Sequence, residues 1–100
     1  MLKVKICGIT SVADALAAAQ EGADYIGLLF AKSARKIDVK TAQDILWNLP
    51  KGVDPVGVFM NQPLDEVRRI LDATGLVWIA TSVELIAFGQ LVVMHCQIKR

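Results

Sequence analysis

Apolar and polar positions along the chain switch between two periods, and the switch recurs three times. Residues 2–6 form a short apolar run broken by lysines, which predicts a first strand. Ser11 with Asp14 three positions later has the form of a helix start. Val12, Ala13, Leu16, Ala17 and Ala19 are then expected on one helical face, and Gly22 marks the end. Residues 25–30 (Tyr-Ile-Gly-Leu-Leu-Phe) are continuously apolar, as in a strand buried on both faces of a parallel sheet. Asp38 is the expected cap of a second helix, on which Val39, Ala42, Ile45, Leu46 and Leu49 recur at helical spacing before Pro50 and Gly52. A third strand is expected at 56–60. Asn61 is the expected cap of a third helix, with Pro63 in its first turn, Leu64, Val67, Ile70 and Leu71 inward, and Gly75 at its end. Residues 76–80 read as a fourth strand.

Strand and helix in strict alternation require crossover connections, so the pattern predicts an α/β fold with a parallel sheet. No linker divides the 100 residues, and a single domain over 1–100 is expected, with 1–75 as regular βα units and 76–100 as a divergent apolar tail. In that tail Val83, Leu85 and Ile86 suit a short helix, Gly89-Gln90 a turn, and Leu91–Met94 a fifth strand.

Composition narrows the function classes. Eleven basic and ten acidic residues nearly cancel, which leaves no electrostatic footprint for nucleic acid or an anionic membrane surface. Between Leu76 and Ile98 the only formal charge is Glu84. A stretch of about 20 apolar residues can span a bilayer, but Glu84, Thr81, Ser82 and Gln90 argue for buried α/β segments instead, with a membrane-tethered fragment as the third-ranked reading. The two cysteines, Cys7 and Cys96, are far apart with no metal-ligand spacing, and Lys3 and Lys5 interrupt the only early apolar run. Neither a disulfide framework, a zinc site nor a secretory leader is expected, and a cytoplasmic location is.

Few residues carry candidate chemistry. Cys7 ends the first strand on a turn into a helix, where barrel enzymes hold reactive groups; as a residue type it equally suits a small buried hydrophobe. Arg35 follows the second strand, on the same rim of a parallel sheet. Its guanidinium is suited to clamp a carboxylate or phosphate, or else belongs to a solvated basic loop with Lys32 and Lys36. His95 and Cys96 are adjacent, so in a strand they point to opposite faces and make no nucleophile pair. Trp47 and Trp78 read as core or interface aromatics, and the carboxylates form no acid/base pair. No phosphate-binding glycine motif is present.

Lys-Ile-Cys-Gly-Ile-Thr at 5–10, Gly-Ala-Asp at 22–24 followed by Ile-Gly-Leu-Leu-Phe-Ala at 26–31, Ser-Ala-Arg at 33–35, and Val-Gly-Val-Phe at 56–59 followed by Asn61 stand in one order and spacing. Over about residues 2–75 this text resembles phosphoribosylanthranilate isomerase. The resemblance implies a (β/α)8 TIM barrel of tryptophan biosynthesis, here a partial barrel of about four parallel units. The implied reaction is an Amadori rearrangement of N-(5′-phosphoribosyl)anthranilate to 1-(2-carboxyphenylamino)-1-deoxyribulose 5-phosphate. It needs no cofactor and no metal. By the same resemblance Cys7 is the general base, Arg35 contacts the anthranilate carboxylate, and an aspartate on a later strand is the acid.

The text departs from the family after Gly75. The Val-Gln-Leu-His-Gly ending of the fourth strand is replaced by Val77-Trp78-Ile79-Ala80-Thr81, and Ala34 stands where proline usually precedes the arginine. An eight-unit barrel takes about 200 residues or more, with its phosphate site after strands seven and eight. The chain alone is therefore expected to lack turnover. The alternative is a non-catalytic half-barrel whose two open sheet edges are closed in a two-fold homodimer, or by the apolar tail folding over the opening.

Overall fold

The computed structural model describes residues 3–32, 34–80, 91–92 and 98–99. The elements run β1 (Lys5–Cys7), α1 (Val12–Gln20), β2 (Tyr25–Leu29), α2 (Val39–Asn48), β3 (Asp54–Val58), α3 (Leu64–Thr74), β4 (Trp78–Ala80), β5 (Leu91–Val92) and β6 (Ile98–Lys99). The first four strands are parallel neighbours in chain order, β1-β2-β3-β4. Right-handed crossovers between strands laid down in one direction put every helix on the same face. The packing shows this: Ala15, Ala18, Ala42, Ile45, Ile70 and Leu71 of the helices close on Ile26, Leu28 and Phe30 in one core. The opposite face holds a separate cluster with no helical member: Cys7, Leu29, Val56, Val58 and Ala80, flanked by Tyr25 and Trp78. A parallel sheet with helices on one side and a buried apolar second side is the local plan of a (β/α) barrel wall.

Local chemistry explains most boundaries. The Ser11 hydroxyl accepts from the Asp14 N–H at 3.1 Å, and the Asp38 carboxylate accepts from the Thr41 N–H at 2.8 Å, so both expected caps form. Gly75 ends α3 in the left-handed conformation. The third cap differs from expectation. Pro63 occupies that position without a side-chain hydrogen bond, and Asn61 lies two residues outside with φ of 56°. Gln62 does the tying instead: its Oε1 accepts from the Met60 N–H and its Nε2 donates to the Phe30 carbonyl, joining the loops after β2 and β3.

Helix α1 also turns a different face inward. Ala15 and Ala18 are buried, while Ala13, Leu16 and Ala17 are exposed. Five alanines in nine residues blur the apolar stripe, and small residues are what the close approach to the sheet selects. Trp47 is 89% exposed on α2, so it is no core aromatic, whereas Trp78 meets Tyr25 edge-on at 6.4 Å.

The sheet edges are the main topological correction. The four parallel strands do not end in open edges: β5 pairs antiparallel with β1, and β6 antiparallel with β4. The reason is that an edge strand presents unpaired N–H and C=O groups that any extended segment can satisfy. The strand expected over Leu91–Met94 is thus seen at Leu91–Val92. The expected helix around Val83, Leu85 and Ile86, the turn at Gly89-Gln90, and Ser33, Glu84, His95 and Cys96 lie outside the described residues. Among the described residues no helix is long and apolar enough to cross a membrane.

Strands β1 and β2 are held in register by one small residue. A Cβ on Gly27 would stand 2.6 Å from the Cys7 sulfur and 3.1 Å from its Cα. Gly27→Ala is expected to cost about 1–3 kcal/mol through this overpacking, measured by urea denaturation; an unchanged midpoint would contradict the close approach. The Asp38 carboxyl is held below its usual range mainly by the Thr41 backbone N–H it caps. A carboxylate with a lowered folded-state pKa stabilises above its ordinary value and loses that contribution as pH falls through the lowered one. The Thr41 amide shift should therefore inflect below the ordinary aspartate range in an NMR titration, and an inflection at the ordinary value would refute the cap.

Candidate active site

Cys7 closes β1, and its side chain lies on the helix-free face with Val56, Val58 and Leu29. The chain must then leave the strand sharply. Gly8, with φ of 85°, makes that exit in a conformation other residues adopt only at a cost. The Gly27 carbonyl accepts from both Gly8 and Ile9 N–H groups, at 3.1 and 3.3 Å, which locks the turn against β2. The Phe30 N–H donates to Val58 O and the Phe59 N–H to Ala80 O, each at 3.0 Å, so the carboxyl ends of β2, β3 and β4 stay laced to the last residue.

Arg35 comes to the same place from the loop after β2. The Ile37 N–H donates to Leu29 O at 2.9 Å and folds that loop back over the strand end. The arginine stem then lies across Gly8, where an added Cβ would stand 2.7 Å from Cδ, and Nη1 donates to the Gly8 carbonyl at 3.3 Å. The thiol and the guanidinium therefore sit on adjacent strand ends of one rim, linked through Gly8. A cleft of about 310 Å³ runs between the end of β1 and helix α1, lined by Ile6, Ala17, Ala18 and Glu21 as well as Cys7, Gly8 and Arg35, so it opens on the helix side and not on the face that holds the thiol. A larger hollow of about 640 Å³, along Leu64, Asp65, Arg68, Arg69 and Asp72, is an exposed flank of α3 remote from the rim.

Burial pushes the Cys7 thiol up from its ordinary value, and the Lys5 ammonium partly opposes this. Lys5 opens the Lys-Ile-Cys-Gly-Ile-Thr stretch. It is 2% exposed, on the same face as Cys7 two residues earlier, and its Nζ has no partner of ordinary hydrogen-bond geometry. Its effect on the thiol is chiefly that of charge, with a smaller hydrogen-bonding contribution to the sulfur. The signal was present in the text: a lysine at i−2 from a strand cysteine shares its face. Gly27 and Gln62, the other structural contributors, carry no chemical signature that single-sequence reading detects. Among the described residues no group of three or more acidic, histidine or cysteine side chains is placed to hold a metal ion.

Helices on one side of an in-order parallel sheet, with polar groups gathered at the carboxyl ends of the strands, define the wall of a (β/α) barrel. Residues 4–80 match the family model for N-(5′-phosphoribosyl)anthranilate (PRA) isomerase. An N-(5′-phosphoribosyl)anthranilate isomerase from Rubrobacter xylanophilus is 52% identical over 77 residues, covering 76% of this chain and 37% of the relative. One from Pseudomonas aeruginosa is 53% identical over 76 residues, covering 75% and 36%. The crystal structure of phosphoribosyl anthranilate isomerase in complex with reduced 1-(o-carboxyphenylamino)-1-deoxyribulose 5-phosphate superposes with a TM-score of 0.76 at 38% identity, over 81% of this chain and 42% of that one. The Thermotoga maritima enzyme gives a TM-score of 0.76 at 38% identity, over 81% and 40%. The chain belongs to the phosphoribosylanthranilate isomerase family, and it spans a little over a third of the length of these curated relatives.

Gly8→Ala is expected to destabilise by roughly 1–2 kcal/mol, the cost of a left-handed backbone for a residue with Cβ, and to displace the Arg35 stem. Urea denaturation and the Arg35 Nε–H NMR signal report the two effects; an unshifted arginine signal would contradict the contact.

Proposed function

We propose that this chain carries the base-bearing part of a phosphoribosylanthranilate isomerase site of aromatic amino acid biosynthesis. The observation that carries the reading is the meeting of Cys7 and Arg35 on one rim, at adjacent strand ends and bridged by Gly8. The substrate is a phosphosugar amine of anthranilate, as the ligand of the superposed complex suggests. Arg35 would hold the aromatic carboxylate, a planar anion suited to a guanidinium fork.

The rearrangement begins when an acid protonates the ribose ring oxygen and the ring opens to a protonated Schiff base. Cys7, as thiolate, takes the C2 proton and becomes a thiol. The C2–H electron pair forms the enolamine, and the electrons of the C1=N bond return to nitrogen. Tautomerisation of the enolamine then gives the 2-ketone. Neither oxidant nor cofactor enters this balance. A buried thiol of raised pKa is a strong base once ionised, though less of it is ionised at neutral pH. Activity should therefore rise with pH through the alkaline thiol range. The acid belongs to a later strand by family resemblance, beyond the matched residues. Dependence on a reduced thiol supports a cytoplasmic setting.

The self-associating half-barrel finds less support, because β5 and β6 already occupy the edges that a partner copy would pair. One relative is described as a dimeric enzyme from which monomers were generated, but the reading for this chain is a monomer. Sedimentation at micromolar concentration should show one; a dimer would favour the alternative.

The activity test uses a chimera in which residues 4–80 replace the matching segment of the full-length Pseudomonas aeruginosa relative. It should turn over phosphoribosylanthranilate in a fluorescence assay, and Cys7→Ser should lower kcat by roughly 10²–10⁴-fold, the ordinary worth of a positioned base. A folded chimera without turnover, or one indifferent to Cys7→Ser, would refute the reading. The chain alone should show no turnover.

A further inference from the structure

The first strand buries a cation that nothing else in the described structure uses. Lys5 is the one buried charged residue among those described, and Ile6 between it and Cys7 packs into the opposite, helix-side core. Lys5 and Cys7 therefore share the inner face of β1. With about 3.3 Å of rise per residue, the Lys5 backbone lies roughly 6–7 Å deeper than Cys7, away from the rim. Its position beneath the thiol, and its 2% exposure, keep it from meeting a substrate directly.

A buried lysine costs stability unless a charge compensates it, and the Cys7 sulfur is the group its charge and its weak hydrogen bond act on. The charged and titratable groups around it are few. Tyr25 is its register partner on β2, Asp24 precedes Tyr25, Asp54 lies beyond Tyr25 on β3, and Arg35, Asp14 and Glu21 line the cleft between β1 and α1. Asp14 already accepts from the Thr10 hydroxyl and Asp24 from the Val4 N–H, and Asp54, level with Lys5 but two strands (roughly 10 Å) away, is exposed to solvent. The Cys7 sulfur is the group on the inner face that becomes an anion during the proposed reaction.

We propose that Lys5 is the counter-ion of the Cys7 thiolate, a positioning residue that keeps the base ionised inside an apolar wall. This deepens the isomerase reading and rests on it for its purpose. In the proposed proton transfer the sulfur alone exchanges a proton with substrate C2. The buried lysine thus supplies what the apolar cluster of Val56, Val58 and Leu29 withholds, a favourable potential for negative sulfur.

The test is a thiolate titration by absorbance at 240 nm of the full chain in a Cys96→Ser background, so that Cys7 alone reports. Lys5→Met should reduce the thiolate fraction at a given pH by roughly tenfold or more. Lys5→Arg, which keeps the cation, should recover most of it. Lys5→Gln, polar but neutral, should behave like the methionine variant and carries the test should that variant fail to fold. A folded neutral variant that titrates like the parent would overturn the proposal, as would equal loss in Lys5→Arg and Lys5→Gln. In the chimera, Lys5→Gln should move the alkaline limb of the kcat profile to higher pH. The titration needs no substrate, so an inactive chimera would sink the isomerase reading while leaving the counter-ion measurement standing.

Discussion

The close approach of the Cys7 side chain to Gly27, which leaves no room for a Cβ there, is the constraint from which the site follows. Parallel pairing places Cys7 opposite Gly27, and no other residue type leaves room there for the sulfur. Once that register holds, the Gly27 carbonyl is in place to receive the Gly8 and Ile9 amides, and the exit turn is set. The turn in turn presents the Gly8 carbonyl to Arg35. A single missing methyl group thus reaches, through two carbonyls, to the guanidinium. Interiors this dense transmit such displacements because little free volume absorbs them.

The inner face combines two opposing demands. Its apolar members exclude water, which strengthens any charge interaction within it but disfavours an ionised sulfur. A base in such a place gains strength and loses population. In the proposed role, Lys5 offsets the second effect without admitting solvent, from beneath the thiol and not at the mouth. Arg35, by contrast, is exposed and fits the role of meeting an incoming anion. In the proposed reading one cation serves the protein's own anion and the other a substrate's.

The antiparallel strands β5 and β6 show what edge chemistry does to a parallel sheet. A barrel wall satisfies its edge amides with the next parallel strand; here extended segments of the apolar tail satisfy them in the opposite sense. The cross-strand bonds are of the same kind, so the four parallel strands keep the arrangement that superposes on the family. The family match likewise ends at residue 80, where β4 ends.

Much of this was legible from sequence because the determining interactions are local. Ser11 and Asp38 cap where their side chains can reach an amide three residues on, and a continuous apolar run such as Tyr25–Leu29 has few other solutions than a buried strand. Cys7 and Arg35 were legible through their places after strands. The inward face of α1 was not, because alanines on all sides leave the choice to packing; nor was the role of Gln62, which reaches Phe30 across 32 residues of chain. Asn61 misled because a good capping residue type says nothing of whether the helix begins beside it. Sequence by itself determined the alternation of elements and the identity of the thiol and the guanidinium. Tertiary structure decided what lies next to them: the glycine under the sulfur, the lysine beneath it and the strands at the edges, since through-space neighbours depend on register and closure, which no local propensity encodes.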